Sequence, residues 1–313
     1  MRRFSAAILF ALVATVSGAE WKVISAQTES SSAPGLERRY VILEESATDE
    51  RASMELALFS AKSFTLRIID QPADPRIDLA EAMRAEKCLA SVNGGYFDPD
   101  YKPIGLLIAD REIIAPLQRA RLLSGVLIAS RGKIQIARLR EFSRAQKIDS
   151  AVECGPMIVD FARAVRGLEA TRAARRTFAA VGAGDRAALG FCSDVTLADL
   201  ANILASQPTN DFKIQRALNL DGGSSSAFWF RRKDGSAFSI PEQKTVRDSS
   251  FVRAPLRGAV EFVGSTDSRR TGLIWHAHVR RLQIREEVLL RRDHRPRRSH
   301  SRKAVLDGCR TDG

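Results

Sequence analysis

Apolar residues in this chain alternate with polar ones or form short runs of strand length, and many of these runs end at Gly, Asn or Asp. Runs of this kind lie at Tyr40–Glu44, Met54–Phe59, Phe64–Ile69, Cys88–Val92, Ala151–Val159, Thr177–Val181, Ala187–Phe191, Ile214–Leu220, Ala227–Phe230 and Gly258–Val263. Two further pairs of runs flank short turns at 110–112 and 131–133, which predicts hairpins.

Helical spacing is confined to a few segments. Asp78–Ala85 has it, and so does the stretch from Thr196 to Leu204, where Thr196 is a predicted N-cap and Asp199 occupies the third helical position. Val279–Leu290 also has helical spacing, within a region that otherwise loses its periodicity. Many hairpins with few helices indicate an α+β domain around a mixed, mostly antiparallel sheet.

The two ends of the chain differ from its middle. Residues 1–19 predict a secretory signal peptide, because two arginines precede an apolar stretch that ends in small residues. An uncleaved anchor is the alternative, although the apolar run is short for a membrane span. The predicted organisation is a signal peptide at 1–19, a mobile lead-in at 20–39, one folded domain at 40–264 and a basic, disordered tail at 265–313. We therefore expect a periplasmic or secreted protein with no stable membrane span after cleavage.

Charge adds little to the functional interpretation. The chain has 313 residues, a hydrophobic content of 44% that suffices for a full core, and a formal net charge of +12. The excess of Lys and Arg lies mainly at the ends, which leaves the middle nearly balanced, so we expect no nucleic-acid partner. The alternative, a tail that binds nucleic acid, predicts strongly salt-dependent binding that is lost on deletion of residues 266–313.

The cysteines leave two alternatives open. Cys88, Cys154, Cys192 and Cys309 show no Cys-x-x-Cys spacing for zinc. Export permits a disulfide between Cys88 and Cys192, and free buried thiols are equally compatible with the sequence.

The histidine distribution limits the chemistry. All four histidines follow Gly264. A Ser–His or Cys–His nucleophile pair and a His-ligated zinc are therefore excluded between residues 20 and 264. Acid–base catalysis in the domain would have to use carboxylates.

Two Asx-plus-diglycine turns each follow an apolar run. They comprise Asn93, Gly94 and Gly95, and then Asp221, Gly222 and Gly223, followed by Ser224 and Ser225. Paired glycines let main-chain N–H groups converge on an anion while the Asn or Asp faces the ligand. Ordinary hairpin corners are the alternative interpretation of each turn.

Four motifs in one order resemble the phosphodiester glycosidase family over roughly residues 40–264. They are Asn93–Phe97, Glu153–Met157, Arg176 with Thr177, and Leu220–Ser225. The chain departs from the family at Arg175, where Pro is usual, and at Pro255–Gly258, where an Asn often precedes the last strand. The resemblance implies a single domain of that fold that hydrolyses a sugar-1-phosphodiester in a glycan or exopolysaccharide. A non-catalytic glycan-binding or polysaccharide-export accessory protein is the alternative.

Two carboxylates are the predicted catalytic pair. Asp221 would act at the anomeric carbon or on the attacking water, and Glu153 would be its partner. Turn capping by Asp221 and a solvated strand-end position for Glu153 are the alternatives. The sequence leaves open whether the reaction uses a covalent intermediate or direct attack by water.

The remaining predicted site residues would bind the substrate, a sugar phosphate or polysaccharide. Arg176 is the predicted phosphate clamp, with Thr177 as a hydroxyl donor and Asn93 on a sugar hydroxyl. Further hydrogen bonds would come from Gly94, Gly95, Gly222, Gly223, Ser224 and Ser225. No cofactor is required, although Asp98, Asp100 and Asp221 are oxygen ligands of the kind that calcium or magnesium accepts.

Overall fold

The structure, a computed structural model, describes residues 20–69, 78–98, 102–145 and 147–243, together with the backbone of residues 259–264 and 273–274. All of these residues lie in one compact unit. Within the described ranges the chain forms a single β-rich domain.

Among the described residues, the first half of the domain contains eleven strands and one helix. In chain order these are β1 (Trp21–Ser30), β2 (Glu37–Glu45), β3 (Arg51–Ser60), β4 (Thr65–Ile69), α1 (Leu79–Ala85), β5 (Cys88–Asn93), β6 (Tyr96–Phe97), β7 (Pro103–Ile104), β8 (Leu107–Ala109), β9 (Glu112–Ala115), β10 (Gly125–Ser130) and β11 (Lys133–Arg138).

The described part of the second half adds ten strands, a longer helix and two 3₁₀ turns. After the turn Leu139–Glu141 come β12 (Ser150–Cys154), β13 (Met157–Asp160), β14 (Arg163–Ala164), β15 (Ala174–Gly182), β16 (Arg186–Val195), α2 (Leu197–Ala205), β17 (Ile214–Gly222), the turn Gly223–Ser225, β18 (Phe228–Arg231), β19 (Ala237–Ile240), β20 (Ala259–Gly264) and β21 (Leu273–Ile274).

The strands assemble into three main sheets and a small hairpin. An eight-stranded sheet has the order β1-β2-β3-β16-β15-β17-β13-β14, and a five-stranded sheet has the order β11-β10-β12-β8-β9. A six-stranded sheet has the order β19-β18-β5-β20-β21, with β4 also paired to β20, and β6 pairs with β7. Every recorded pairing in the described part of the chain is antiparallel, as in β15 with β16 and with β17. The predicted α+β class with a mostly antiparallel sheet and few helices is confirmed.

The core explains why the central strands are apolar on both faces. Leu56, Leu58 and Phe178 pack on one face of the eight-stranded sheet, in a cluster that includes α2. Their neighbours Ala57, Phe59 and Ala179 point the other way, into a second cluster shared with β4, β5, β10, β12 and β18. Successive side chains of a strand point to opposite faces, so burial on both sides requires a nearly continuous apolar run.

The two predicted helices within the described residues are present. The predicted N-cap, Thr196, is confirmed, whereas Asp78, predicted as part of its helix, is the N-cap of α1. Asp78 accepts a hydrogen bond from Glu81 N at the start of α1. The hydroxyl of Thr196 accepts one from Asp199 N, at 3.1 Å, at the start of α2. Leu200, Ala201, Ile203 and Leu204 form the buried face of α2, which covers the eight-stranded sheet. The third predicted helix, Val279–Leu290, lies outside the described residues.

The structure corrects the predicted lead-in at 20–39. Its first part is β1, which pairs with β2 from Trp21 opposite Glu45 to Ser30 opposite Glu37. Most side chains of β1 are exposed, although Trp21 is buried. The Ser31 hydroxyl donates to the backbone O of Arg231 at 2.9 Å, just beyond the end of the strand. Backbone pairing rather than side-chain burial holds this edge strand, so its sequence carries no clear apolar alternation.

The predicted signal peptide at 1–19 lies outside the described residues, and so does most of the predicted tail at 265–313. Within that tail, the two residues of β21 pair with β20. No helix in the described ranges has the length and apolar character needed to cross a membrane.

We expect Gly190→Ala to destabilise the domain. Gly190 pairs with Phe178, and a Cβ at position 190 would lie 2.1 Å from the Phe178 ring atom Cζ. Overpacking of this kind costs about 1–3 kcal/mol, which urea unfolding would measure. In the Gly190→Ala background, Phe178→Leu should cost less than it does alone, because the smaller side chain relieves the clash. Equal urea midpoints for parent and Gly190→Ala would contradict this account of the packing.

Candidate active site

The two diglycine turns lie next to each other, where the six-stranded and eight-stranded sheets meet. Asn93 is the last residue of β5, and Asp221 lies near the end of β17. Strand β15 connects them, because Thr177 pairs with Asp221 and its hydroxyl donates to the backbone O of Asn93 at 2.8 Å. Residues separated by more than a hundred positions thus form one cluster.

A side-chain hydrogen bond joins the two turns directly. Asn93 Nδ2 donates to Asp221 Oδ2 at 2.5 Å. The other atom of the same amide, Oδ1, accepts from the backbone N of Ala227 at 2.7 Å. Asn93 is 1% exposed, so both ends of its side chain are fixed away from bulk water.

Asp221 is the centre of this cluster. Its Oδ1 accepts from the backbone N of Gly222 at 2.7 Å, and its Oδ2 also accepts from the Ser225 hydroxyl at 2.7 Å. The residue is 0% exposed. A buried carboxylate is costly unless hydrogen bonds satisfy both oxygens, as they do here. Asp221 therefore caps its own turn as well as holding the other one.

Arg176 provides a partly buried positive charge beside this carboxylate. Its side chain is 12% exposed and lies 4.0 Å from Glu169 Oε2. A Cβ on Gly222 would lie 2.6 Å from Arg176 Nη1, so the guanidinium rests against the glycine. Burial lowers the pKa of Arg176, while the nearby charges of Glu169 and Asp221 oppose that shift. Its Nε has no hydrogen-bond partner among the described residues.

Several predicted donors are already engaged inside the protein. The hydroxyls of Thr177 and Ser225 bind Asn93 and Asp221, respectively. Ser224 contributes its backbone O, which accepts from Gln243 N at 2.8 Å. The cluster is thus preassembled by internal hydrogen bonds.

The glycines have conformational and steric reasons to be present. Gly95 and Gly223 adopt φ angles of +86° and +85°, in the region that favours glycine. Gly94 is buried, as are Gly95 and Gly222, whereas Gly223 is partly exposed. The small residues let β15 and the two turns approach closely.

Three residues that the sequence analysis assigned no role form a second layer. The Tyr96 hydroxyl donates to the backbone O of Gly155, and Asn219 Nδ2 donates to the same oxygen at 3.0 Å. Cys154 Sγ donates to the backbone O of Leu220 at 2.7 Å. Each of them lies in or beside one of the four family motifs, and that position was the signal in the sequence that could have identified them.

Burial affects the acidity of this layer. It raises the pKa of Tyr96 well above its ordinary value, and the nearby charge of Asp221 adds to that effect. It also raises the pKa of the Cys154 thiol to about 12. Both groups are therefore protonated at neutral pH and act as hydrogen-bond donors. Cys88, Cys154 and Cys192 are free thiols, which selects the second of the two cysteine alternatives for these residues.

Glu153 is in a different environment from the two turns. Its Oε2 accepts from the backbone N of Leu106 at 2.7 Å and of Gln118 at 3.0 Å. Because side chains alternate along β12, Glu153 points away from the face on which Cys154 contacts Leu220. Among the described residues, no hydrogen bond joins Glu153 to Asn93, Asp221 or Arg176.

The burial of Glu153 excludes the alternative of a solvated strand-end position. The residue is 0% exposed, and its Oε1 has no hydrogen-bond partner in the described part of the chain. Desolvation raises its pKa, while the N–H groups of Gln118 and Leu106 oppose the shift. Glu153 therefore connects two loop segments to β12.

Asp98 stabilises a loop end. Its Oδ1 accepts from the backbone N of Lys102 at 2.9 Å, and its own N donates to Lys102 O at 3.0 Å. Asp100, the other nearby candidate ligand, lies outside the described residues. No group of three or more His, Cys, Asp or Glu side chains within the described ranges could hold a metal ion.

The fold and these motifs define a class of protein. A sequence profile of the phosphodiester glycosidases matches residues 86–255, more than half of the chain, and the chain belongs to this family. The family is one of hydrolases that act on glycosidic phosphodiesters. No curated protein matches the sequence.

Two solved structures have the same fold. One is the catalytic domain of zebrafish N-acetylglucosamine-1-phosphodiester alpha-N-acetylglucosaminidase, auto-inhibited by its pro-peptide, with a TM-score of 0.55 and 17% identity over 82% of this chain and 88% of that one. The other is a hypothetical protein from Synechocystis, with a TM-score of 0.52 and 13% identity over 75% of this chain and 63% of that one. At these identities the likeness concerns the fold.

We expect Glu153→Gln to change how stability depends on pH. The pKa of Glu153 is higher in the folded state than in the unfolded chain. Its contribution to stability is therefore fully present at pH values below the unfolded-state pKa, and it is lost as the pH rises through the folded-state pKa. The free energy of unfolding of the parent, relative to that of Glu153→Gln, should therefore increase as the pH falls from 7 to 4. Urea unfolding at the two pH values would measure it.

Glu45→Gln is the matched control for this measurement. Hydrogen bonds from Thr48 and Ala47 lower the pKa of Glu45, so the stability of the parent relative to this variant should decrease as pH falls. A Glu153→Gln difference that is the same at both pH values would contradict the proposed environment of Glu153.

Proposed function

We propose that this protein is an exported phosphodiester glycosidase that hydrolyses a sugar-1-phosphodiester bond in a glycan or exopolysaccharide. Membership of the phosphodiester glycosidase family supports the reaction class. The sequence of residues 1–19 supports export to the periplasm or beyond. A non-catalytic glycan-binding or polysaccharide-export protein with the same cluster is the competing assignment.

The observation that carries the proposal is the meeting of the two diglycine turns through Asn93 and Asp221. The cluster combines a carboxylate, an amide, a hydroxyl and a guanidinium within one largely buried region. An arrangement of fixed polar groups of this kind needs little reorganisation when charge develops on a substrate, which is the largest source of catalysis in many enzymes.

The leaving group explains why arginine suits this reaction. When the bond between the anomeric carbon and the phosphate oxygen breaks, the electron pair departs with a phosphate monoester that is already anionic. It needs charge stabilisation more than protonation. We propose that Arg176 supplies this charge through its fork of N–H donors, with main-chain N–H groups of the glycine turns beside it. The unpartnered Nε of Arg176 supports that assignment.

Asp221 is the proposed carboxylate at the reacting carbon or on the attacking water. Because it has no exposed surface, this role requires its hydrogen bond from Ser225 or Asn93 to be exchanged for one from substrate or water. Either donor would then be available to the substrate. A covalent intermediate and direct water attack both satisfy this geometry.

For Glu153, the geometry favours a positioning role over that of a partner carboxylate. Its contacts hold Leu106 and Gln118, and its face of β12 is opposite to that of Cys154. The reaction as proposed needs no cofactor, and a calcium ion bound through Asp98 remains a separate proposal.

We expect Asp221→Asn to lower kcat/KM by roughly 10²–10⁴-fold, the usual contribution of a catalytic acid or base. Arg176→Gln should lower it by roughly 10²–10³-fold, because one stabilising charge is lost. The assay follows phosphate monoester release from a panel of sugar-1-phosphodiesters of both anomeric configurations.

The matched control is Asp160→Asn, which alters a largely buried carboxylate paired with Arg138 and Arg216, away from the two turns. It should lower the free energy of unfolding while turnover per folded molecule stays at the parent value. Parent-level turnover in Asp221→Asn would remove the catalytic assignment. Binding of the diesters by the parent without hydrolysis would favour the accessory protein.

A further inference from the structure

Arg175 stands beside the proposed phosphate clamp, but its side chain goes to different partners. It lies at an irregularity of β15, where the pairing with β16 shifts between Ala174 and Arg176. Bulges of this kind change the direction in which a side chain points. Arg175 is 7% exposed, so it cannot serve as an ordinary solvated surface charge.

The guanidinium of Arg175 binds two main-chain carbonyls. Its Nη2 donates to Ser226 O at 2.7 Å and to Pro241 O at 2.8 Å. The Ser226 hydroxyl in turn donates to the backbone O of Arg175 at 3.1 Å. Arg175 and Ser226 are thus joined by two hydrogen bonds, in each of which the side chain of one residue donates to the backbone O of the other.

A short segment after β19 completes the arrangement. Pro241 is held by Arg175, and two residues later the N of Gln243 donates to Ser224 O at 2.8 Å. We call residues 223–226 the serine turn. It is therefore held by a hydrogen bond at Ser224 and by another at Ser226. Between these two anchored residues lies Ser225, whose hydroxyl donates to Asp221 Oδ2.

We propose that Arg175 is a positioning residue that fixes the serine turn, and through Ser225 the carboxylate of Asp221, relative to Arg176. This proposal rests on the function proposed above, and it adds a residue that need not touch the substrate. The adjacent arginines have separate tasks. Arg176 faces the cluster at Gly222, whereas Arg175 holds the turn through hydrogen bonds to the carbonyls of Ser226 and Pro241.

Arginine suits this position better than lysine for two reasons. A single planar group reaches carbonyls from two segments, and its centre lies 5.0 Å from the centroid of the Phe191 ring. An ammonium group is compact and more strongly hydrated, and it lacks the flat surface that stacks on an aromatic ring. The substitution Arg175→Lys would therefore keep the charge without reproducing this geometry.

The kinetic test uses Arg175→Ala and Arg175→Lys in the full chain, at a temperature at which circular dichroism shows each variant to be folded. We expect kcat to fall roughly 10- to 100-fold with KM within about twofold of the parent, because displacement of a catalytic group impairs chemistry more than binding. Added guanidinium should restore part of the kcat of Arg175→Ala but not that of Arg175→Lys. Parent-level kcat in folded Arg175→Ala would overturn the proposal.

Arg216→Ala is the matched control. Arg216 is also largely buried, but it pairs with Glu141 and Asp160 at the other end of β17. It should lose stability, keep the parent kcat and show no response to guanidinium. A fall in kcat for Arg216→Ala as large as that for Arg175→Ala would assign the effect to general destabilisation and contradict the positioning role.

Hydrogen exchange separates this proposal from the function on which it rests. Peptides that cover residues 223–226 and 241–243 should exchange faster in Arg175→Ala and Arg175→Lys than in the parent or Arg216→Ala, whether or not the parent turns over substrate. Unchanged exchange in both peptides would overturn the positioning role. Accelerated exchange in a protein without turnover would support it while removing the enzymatic proposal.

Discussion

The need to satisfy one buried carboxylate governs this part of the molecule. Asp221 has no exposed surface, and an isolated charge in such a place would cost several kcal/mol. Three donors from two turns, Asn93, Gly222 and Ser225, bind its oxygens. The positive charge of Arg176 lies nearby and also stabilises the negative charge of this carboxylate. Each of these partners must stay in place for the carboxylate to remain buried, so the two turns are held together by the charge they enclose.

The antiparallel framework makes this arrangement possible. β15 pairs with β17 so that Arg176 is opposite Gly222 and Thr177 is opposite Asp221. Apolar clusters on both faces of the eight-stranded sheet leave these strands little freedom to slip, because a shift of one residue would turn buried side chains toward the wrong face. The register fixed by packing is therefore also the register that aligns the polar cluster. Close approach of the Arg176 guanidinium to the backbone further requires glycine at position 222.

The polar layers around the cluster differ in function. Tyr96, Asn219 and Cys154 connect the first turn to the segment at Gly155 and to Leu220. Glu153 connects β12 to the segments at Leu106 and Gln118 instead. The bracing of the serine turn by Arg175, which we propose as a positioning role, links the cluster to the segment after β19. The positions of the polar side chains in the cluster thus depend on the positions of the surrounding loop segments, because hydrogen bonds to main-chain atoms connect them. Such bonds constrain position more strongly than contacts between flexible side chains.

The sequence alone determined the antiparallel class, both described helices, the Thr196 cap and the family, because apolar periodicity, cap residues and glycine motifs are local signals. It also predicted that Asn93, Asp221 and Arg176 belong to one site, through the order of the motifs, and the structure brings these three residues into one cluster. Only the tertiary structure decided that β1 is a strand, since its pairing depends on β2 rather than on its own side-chain pattern. It also separated Glu153 from Asp221 and gave Arg175 its two carbonyl partners. Which face of a strand meets which neighbour depends on how distant strands pack, and no local pattern in the chain carries that information.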